Sequence, residues 1–332
     1  MSELSENANY HSAGGSVFDG HGQDPAFLAY RKAWQENPKK KIVAPAPLHL
    51  DVESTNTCNM KCAHCAAAAD HWGGGQKGFM DFSLFQSIID QAASAGVCCV
   101  KFSLRGEPLL HPGLMDMIDY TIHSGIMDCY FNTNGMLLDE GMCEKIVQSR
   151  LPRISVSVDG WDEKSYCRIR RGGDYERVCT HIRRLRDVRD HAGSVLPRIR
   201  IQAVLTPEME EHRGRYTAQW SEIADEIGFV DARDEGACSS GYPKPCAQFS
   251  CPFLWQRMTI LWDGMLLPCL MHGVEDFSLL AFGNVRDLDI VQAWQSEKEN
   301  EYRDLHAQGR SHEMKACLKC SYRESEIRKR LT

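Results

Sequence analysis

Residues 58–65 read Cys58-Asn59-Met60-Lys61-Cys62-Ala63-His64-Cys65 and follow directly on an apolar stretch, LHLDV at 48–52, with the composition of a buried strand. A compact loop of this spacing can turn three thiolates toward one face of a cubane, and four-iron clusters are held by cysteine thiolates. The missing fourth ligand leaves one iron open to a chelating small molecule, as catalytic metal sites keep an open position. Structural zinc with a distant fourth ligand is the competing reading, although zinc usually takes paired CxxC ligands and a complete tetrahedron.

Outward from this loop the chain alternates short apolar strands with amphipathic helices. Strands are expected at 48–52, 97–103, 128–132, 154–158 and 200–205, and helices at 82–95, closed by Gly96, and near 113–124, 139–149, 174–190 and 209–227. Such alternation indicates parallel βαβ units, in a doubly wound sheet or a barrel. Upstream, residues 1–24 are polar and Gly/Ser-rich and read as a loosely draped arm. A helix follows, with Asp24 as N-cap and Pro38 as stop signal. The rhythm ends near 230. Residues 231–250, rich in Gly, Pro and Ser, read as a linker, followed by a hairpin-like MTILWDGMLLPC and a helix near 285–307.

Composition narrows the function classes. The 332 residues carry 38 basic and 45 acidic side chains, a net charge of −7, which argues against bulk nucleic-acid affinity. With 43% hydrophobic residues the chain can build an ordinary core. No run of about 18 apolar residues suggests a membrane span, and no secretory signal pattern opens the sequence, so a cytoplasmic protein is expected. Cysteine is the outlier. Fifteen thiols in a chain of that kind read as ligands, reagents or packing rather than disulfides.

The CxxxCxxC loop after a strand resembles the radical S-adenosylmethionine (radical SAM) superfamily, and further segments match that family in order. Leu104-Arg105-Gly106-Glu107-Pro108 resembles its GGEP element, with Arg105 where the first glycine is common. The resemblance implies that Gly106, Glu107 and Pro108 receive the methionine amino group. Asn132-Thr133-Asn134-Gly135 is similar to the TNG segment beside the ribose, which assigns Thr133 and Asn134. Ser155-Val156-Ser157-Val158-Asp159-Gly160 resembles the SxDG strand end, placing Ser157 and Asp159 near the adenosine. In YCRIRRGGDYERV, 166–178, Arg170 best matches the arginine that meets the SAM carboxylate. TNG and SVDG could be ordinary turns singly; together, each ends a predicted strand, where α/β barrels place their chemistry. The implied fold is α/β, a partial (βα)6 TIM-like radical SAM barrel over 48–230, after an arm and helix at 1–47.

Four more cysteines lie beyond the barrel. Cys251 and Cys269 are 18 residues apart (269 − 251), Cys317 follows 48 later (317 − 269), and Cys317-Leu318-Lys319-Cys320 is a CxxC. Four thiolates would saturate a cluster, which suits electron transfer or structure, with structural zinc the competitor. The arrangement resembles the Twitch domain, the shortened SPASM extension of many radical SAM enzymes, here at 251–332 after the 231–250 linker. Its spacing is most like that of aminoglycoside-pathway dehydrogenases and epimerases. The implied fold there is a small α+β unit holding one auxiliary [4Fe-4S] cluster, beside a first [4Fe-4S] cluster that binds SAM.

The resemblance implies an enzyme that abstracts a hydrogen atom with a 5′-deoxyadenosyl radical, from a sugar or aminocyclitol carbon, ending in oxidation or epimerisation. The cofactor supplies the hard chemistry and the protein position and exclusion of water. Epimerisation needs a hydrogen donor, and Cys167, Cys238 and Cys246, in predicted loops, are the candidates. Cys98, Cys99, Cys129, Cys143 and Cys179 fall within strands and helices and read as packing. An electron donor such as flavodoxin or ferredoxin is the expected partner, with a carbohydrate-like small molecule as substrate. A maturase of peptide side chains is the first alternative, and a non-catalytic zinc scaffold the alternative from another class. The thirteen histidines show no HxH or HxxxH spacing. Arg183, Arg184, Arg186 and Arg189 read as a solvated helix face, and Trp255, Trp262 and Trp294 as packing of the small domain.

Overall fold

Ten strands join in one sheet in the computed structural model, which describes residues 10–65, 75–232, 246, 249–270 and 276–331. They are β1 (Tyr10–Gly14), β2 (His49–Val52), β3 (Cys99–Lys101), β4 (Asp128–Thr133), β5 (Arg153–Ser157), β6 (Arg198–Leu205), β7 (Glu226–Asp231), β8 (Arg257–Ile260), β9 (Met265–Leu267) and β10 (Gly283–Asn284). From β2 to β7 the neighbours follow chain order and every pair is parallel. An order without reversal is singly wound, so the connecting helices fall on one face, as in a TIM-like barrel rather than a doubly wound sheet.

Ahead of β2 lies α1 (Pro25–Lys40), packed on the other face against Cys99 and Tyr130. The connecting helices are α2 (Phe82–Ser94), α3 (Leu114–His123), α4 (Glu140–Gln148), α5 (Glu163–Ile169), α6 (Tyr175–His191), α7 (Pro207–Glu211) and α8 (Arg213–Trp220), followed after β10 by α9 (Ile290–Trp294), α10 (Glu297–Ala307), α11 (Lys315–Leu318) and α12 (Ser321–Leu331). Aspartates start several of them: the carboxylates of Asp81, Asp139, Asp162 and Asp174 accept first-turn N–H groups of α2, α4, α5 and α6. Alternate strand residues such as Leu50, Val100, Phe131 and Val156 share one core with Phe85, Ile118, Ile146 and Ile182 of the helices. The other residues of each strand therefore point to the opposite face. None of the described helices is long and apolar enough to cross a membrane.

Four segments differ from the sequence reading, each for a local reason. Residues 10–14 are not draped: β1 pairs antiparallel with β7, and Val17 and Phe18 bury beyond it, with the Val17 N–H on Glu226 Oε2 at 2.7 Å. Pro38 does not stop α1, which runs to Lys40. Proline cannot donate to the Trp34 carbonyl, and the Gln256 side-chain amide donates there instead at 2.7 Å. The expected helix at 209–227 is two short helices and a sixth parallel strand, β7, whose Ile227 and Phe229 bury in the core. The expected helix at 285–307 is split at Ser296, whose hydroxyl caps α10.

The hairpin β8–β9 forms as expected, but β8 also pairs parallel with β2, with Asp51 opposite Thr259, and Glu53 N–H donates to the Ile260 carbonyl at 2.8 Å. The sheet thus continues from the parallel strands into the segment that carries the second cysteine set.

Candidate active site

The cysteine loop leaves the C-terminal end of β2 and is fastened on both sides. Lys61 and Ala63 N–H groups donate to the Arg171 and Ile169 carbonyls, at 2.9 and 2.8 Å, and the Asn134 amide donates to Asn59 Oδ1 at 2.7 Å. Cys58 is exposed, and Cys62 and Cys65 are half-buried. Although Cys58 reaches solvent, partial desolvation by the surrounding loop pushes its thiol up to about 11, with Glu107, Cys62 and Cys65 adding to it. Cys62 and Cys65 thus lie within electrostatic reach of Cys58 and oppose its ionisation. A cationic iron core reverses that balance, since a bound metal deprotonates its thiols. The loop fits the first cluster.

Behind it, Gly106 lets the next strand's loop approach so closely that a Cβ there would collide with the Thr55 and Thr57 carbonyls. Glu107 N–H donates to the Thr57 carbonyl at 2.9 Å, tying this turn to the residue before Cys58. The Glu107 carboxylate is buried and accepts from Thr133 Oγ1 at 2.6 Å, Asn134 N–H at 2.7 Å and Leu109 N–H at 3.2 Å. Burial raises its pKa, and these bonds offset the rise in part. Pro108 opens the short turn after it. Gly106, Glu107, Pro108, Thr133 and Asn134 therefore form one knot, although they come from two different strand ends.

A second knot centres on Asp159. Arg170 meets its Oδ2 through Nε at 2.6 Å, His64 Nε2 lies 3.1 Å from the same oxygen, and Val204 N–H donates to Oδ1 at 2.7 Å. Against the opposing effect of burial, Arg170 first and then His64 hold this carboxyl well below the usual range. Arg170 also reaches the Cys62 thiol. Ser157 ends β5 half-buried, opposite Gln202 of β6. All the SAM-site residues read from sequence thus gather at the C-terminal strand ends around the cysteine loop.

Sequence reasoning missed the partner of Arg105. Its guanidinium forks onto buried Glu53 through Nε and Nη2, both at 2.6 Å, and lies 4.9 Å from the centre of the Phe277 ring. Glu53 also accepts from Trp262 N–H at 3.3 Å. The residue that departs from the GGEP pattern thus joins the first site to the C-terminal segment. The only signal was that departure itself.

Cys251, Cys269, Cys317 and Cys320 line one apolar pocket with Phe249, Leu254 and Met314. Burial, then the neighbouring cysteine thiols, push Cys251 and Cys317 far above the ordinary thiol range. Four thiols in so apolar a pocket fit a cluster, whose irons neutralise them. His306 of α10, also missed from sequence, is in the same pocket. Cys251 N–H donates to its Nδ1 at 3.2 Å, and its Nε2 lies 3.4 Å from Cys317 Sγ. Burial, then Arg323 and Lys41, push its pKa down to about 3.

The hydrogen-donor candidates separate. Cys167 is exposed on α5, its sulfur 3.9 Å from the Gly173 carbonyl. Cys246 is buried with Phe249, Phe253 and Tyr322 against Cys251, Cys269 and Cys320, beside the auxiliary pocket rather than the first loop. Cys238 lies outside the described residues. Of the five packing cysteines, Cys99, Cys129, Cys143 and Cys179 are buried and Cys98 is half-buried.

Comparison with known proteins agrees with this geometry. Residues 52–197 match the radical SAM superfamily, and residues 251–321 match SPASM, an iron-sulfur cluster-binding domain. The tungsten-containing aldehyde ferredoxin oxidoreductase cofactor-modifying protein of Pyrococcus furiosus is 24% identical over 83% of this chain and 88% of its own. A probable GTP 3′,8-cyclase of Methanocaldococcus jannaschii is 32% identical, but the chain spans only 45% of its length. Among solved structures, BtrN in complex with AdoMet and 2-DOIA aligns with a TM-score of 0.56 at 18% identity, covering 84% of this chain and 93% of BtrN. The structural likeness is one of fold.

Proposed function

We propose that this chain, a radical SAM enzyme with an iron-sulfur cluster-binding SPASM domain, acts on a carbon of a sugar or aminocyclitol and completes an oxidation or an epimerisation there. When bound, the first cluster and SAM supply reductive cleavage and hydrogen-atom abstraction. Cys58, Cys62 and Cys65 would hold that cluster. Glu107 keeps free lone pairs for the methionine amino group after its three bonds, and Arg170 keeps N–H groups for the carboxylate after Asp159. Ser157 and Asp159 would border the adenosine. Cys251, Cys269, Cys317 and Cys320 would hold the auxiliary cluster.

The observation that carries the substrate class is the face of the sheet opposite the α2–α6 side, part of which α1 covers through Trp34, 5.5 Å from the His49 ring. It presents His49, Asp51, Lys101, Asn132, Ser155 and Thr259 in adjoining registers. Ser155 Oγ and Thr259 Oγ1 are buried there without a hydrogen-bond partner. Orphaned buried hydroxyls cost free energy, and a polyhydroxylated ligand would satisfy them, whereas an apolar side chain would not. The Pyrococcus furiosus relative is named for modifying a cofactor, which supports a small-molecule substrate.

The test is deuterium transfer. Per-deuterated sugars and aminocyclitols, and separately deuterated peptides, are incubated with reconstituted enzyme, SAM and a flavodoxin or ferredoxin reductant. Deuterium in 5′-deoxyadenosine from a carbohydrate, weakened by Ser155→Ala or Thr259→Val, supports the proposal. Transfer from a peptide alone replaces it with side-chain maturation.

A further inference from the structure

We infer that His306 tunes the auxiliary cluster by donating an N–H···S hydrogen bond to Cys317, with its tautomer fixed by the Cys251 backbone. The inference rests on the reading of the four cysteines as ligands. The geometry leaves the ring one arrangement. Its Nδ1 receives the Cys251 N–H at 3.2 Å and must therefore offer a lone pair, which puts the ring proton on Nε2. That nitrogen lies 3.4 Å from Cys317 Sγ, within sulfur hydrogen-bond range.

The ring is held in place. His306 is 2% exposed near the C-terminal end of α10, and the Phe249 ring lies 6.1 Å away. One imidazole thus spans two of the four cysteines, the backbone of one and the sulfur of the other. A ligating thiolate becomes more electron-rich when its cluster is reduced, and an N–H aimed at it stabilises that state more than the oxidised one. Hydrogen bonds to the sulfurs are among the determinants of a cluster's reduction potential. The lining is mostly apolar, with Arg323 also among it, and a hydrogen bond in such surroundings is electrostatically stronger than in water. His306 is a positioning residue and makes an electron taken from a substrate easier to accept.

The test uses full-length, anaerobically reconstituted protein and EPR-monitored redox titration, with iron content measured in parallel. His306→Phe keeps the ring volume and removes the donor; His306→Gln returns an N–H near the Nε2 position. In His306→Phe the second cluster is retained and its potential falls by about 59 mV, a tenfold shift in a one-electron equilibrium. In His306→Gln most of that shift is recovered. An unchanged potential in His306→Phe with full iron overturns the inference. So does loss of the second cluster's iron from both variants, which would make His306 a ligand or a scaffold. If His306→Phe alone fails to load, a wild-type potential in His306→Gln supports the inference, and a potential lowered as far as 59 mV there overturns it. The underlying reading fails separately, through Cys320→Ala: unchanged iron in that variant removes the cluster itself.

Discussion

Replacing Arg105 with methionine probes the contact that the sequence left unexplained. The Arg105–Glu53 pair has side chains 6% and 0% exposed and is bidentate at 2.6 Å. Removing one partner of such a pair leaves a buried carboxylate without its counter-charge, which costs about 3–5 kcal/mol. Loss of the cation–π contact with Phe277 adds about 0.5–2 kcal/mol. Arg105→Met should therefore cost about 4 kcal/mol in anaerobic urea unfolding of the reconstituted protein, followed by tryptophan fluorescence. The decisive quantity is the coupling. Glu53→Gln with Arg105→Met removes both charges, so the double variant should recover about 2 kcal/mol relative to additivity. Arg105→Lys should restore little, because an ammonium cannot reproduce the fork. A cost below about 1 kcal/mol for Arg105→Met, or an additive double variant, would refute the reasoning.

Other consequences are simpler. Gly106→Ala places a methyl against the Thr55 and Thr57 carbonyls, so SAM affinity measured by calorimetry should drop at least tenfold, alongside about 1–3 kcal/mol of stability. His49 is buried and its pKa is lowered by that burial, with Asp51 opposing. Below the unfolded histidine value of about 6.5 the unfolded chain takes a proton that the folded ring resists, so stability falls on acidification by up to about 1.4 kcal/mol per pH unit. His49→Asn should flatten that slope between pH 6.5 and 5; an unaltered slope would place the proton uptake elsewhere. Alanine at Cys58, Cys62 or Cys65 should abolish 5′-deoxyadenosine formation while leaving the auxiliary cluster's signal.

What the sequence disclosed and what it withheld follow from range. The strand-end motifs were readable because each is contiguous: CxxxCxxC, GEP, TNG and SVDG carry their turn chemistry within a few residues. The binding of Glu107 to Thr133 and Asn134 was not legible, since those residues are 26 and 27 positions away. The Glu53–Arg105 fork spans 52 positions, and the contact of His306 with Cys251 spans 55. No local periodicity encodes such pairs. β7 was hidden for a different reason, as its short apolar run continued the pattern of the preceding helices. The pairing of β8 with β2 was hidden because a parallel neighbour about 200 residues away, as in Asp51 opposite Thr259, leaves no trace in either segment.

The central claim is that one chain holds two iron–sulfur clusters and uses the first to cleave SAM. Iron and zinc content after anaerobic reconstitution, measured with 5′-deoxyadenosine formation under reduction, tests it most directly. The account predicts about eight irons per chain, four per cluster, no zinc, and SAM turnover. Four irons with one zinc would contradict the auxiliary cluster, and the absence of both iron and SAM cleavage would contradict the account as a whole.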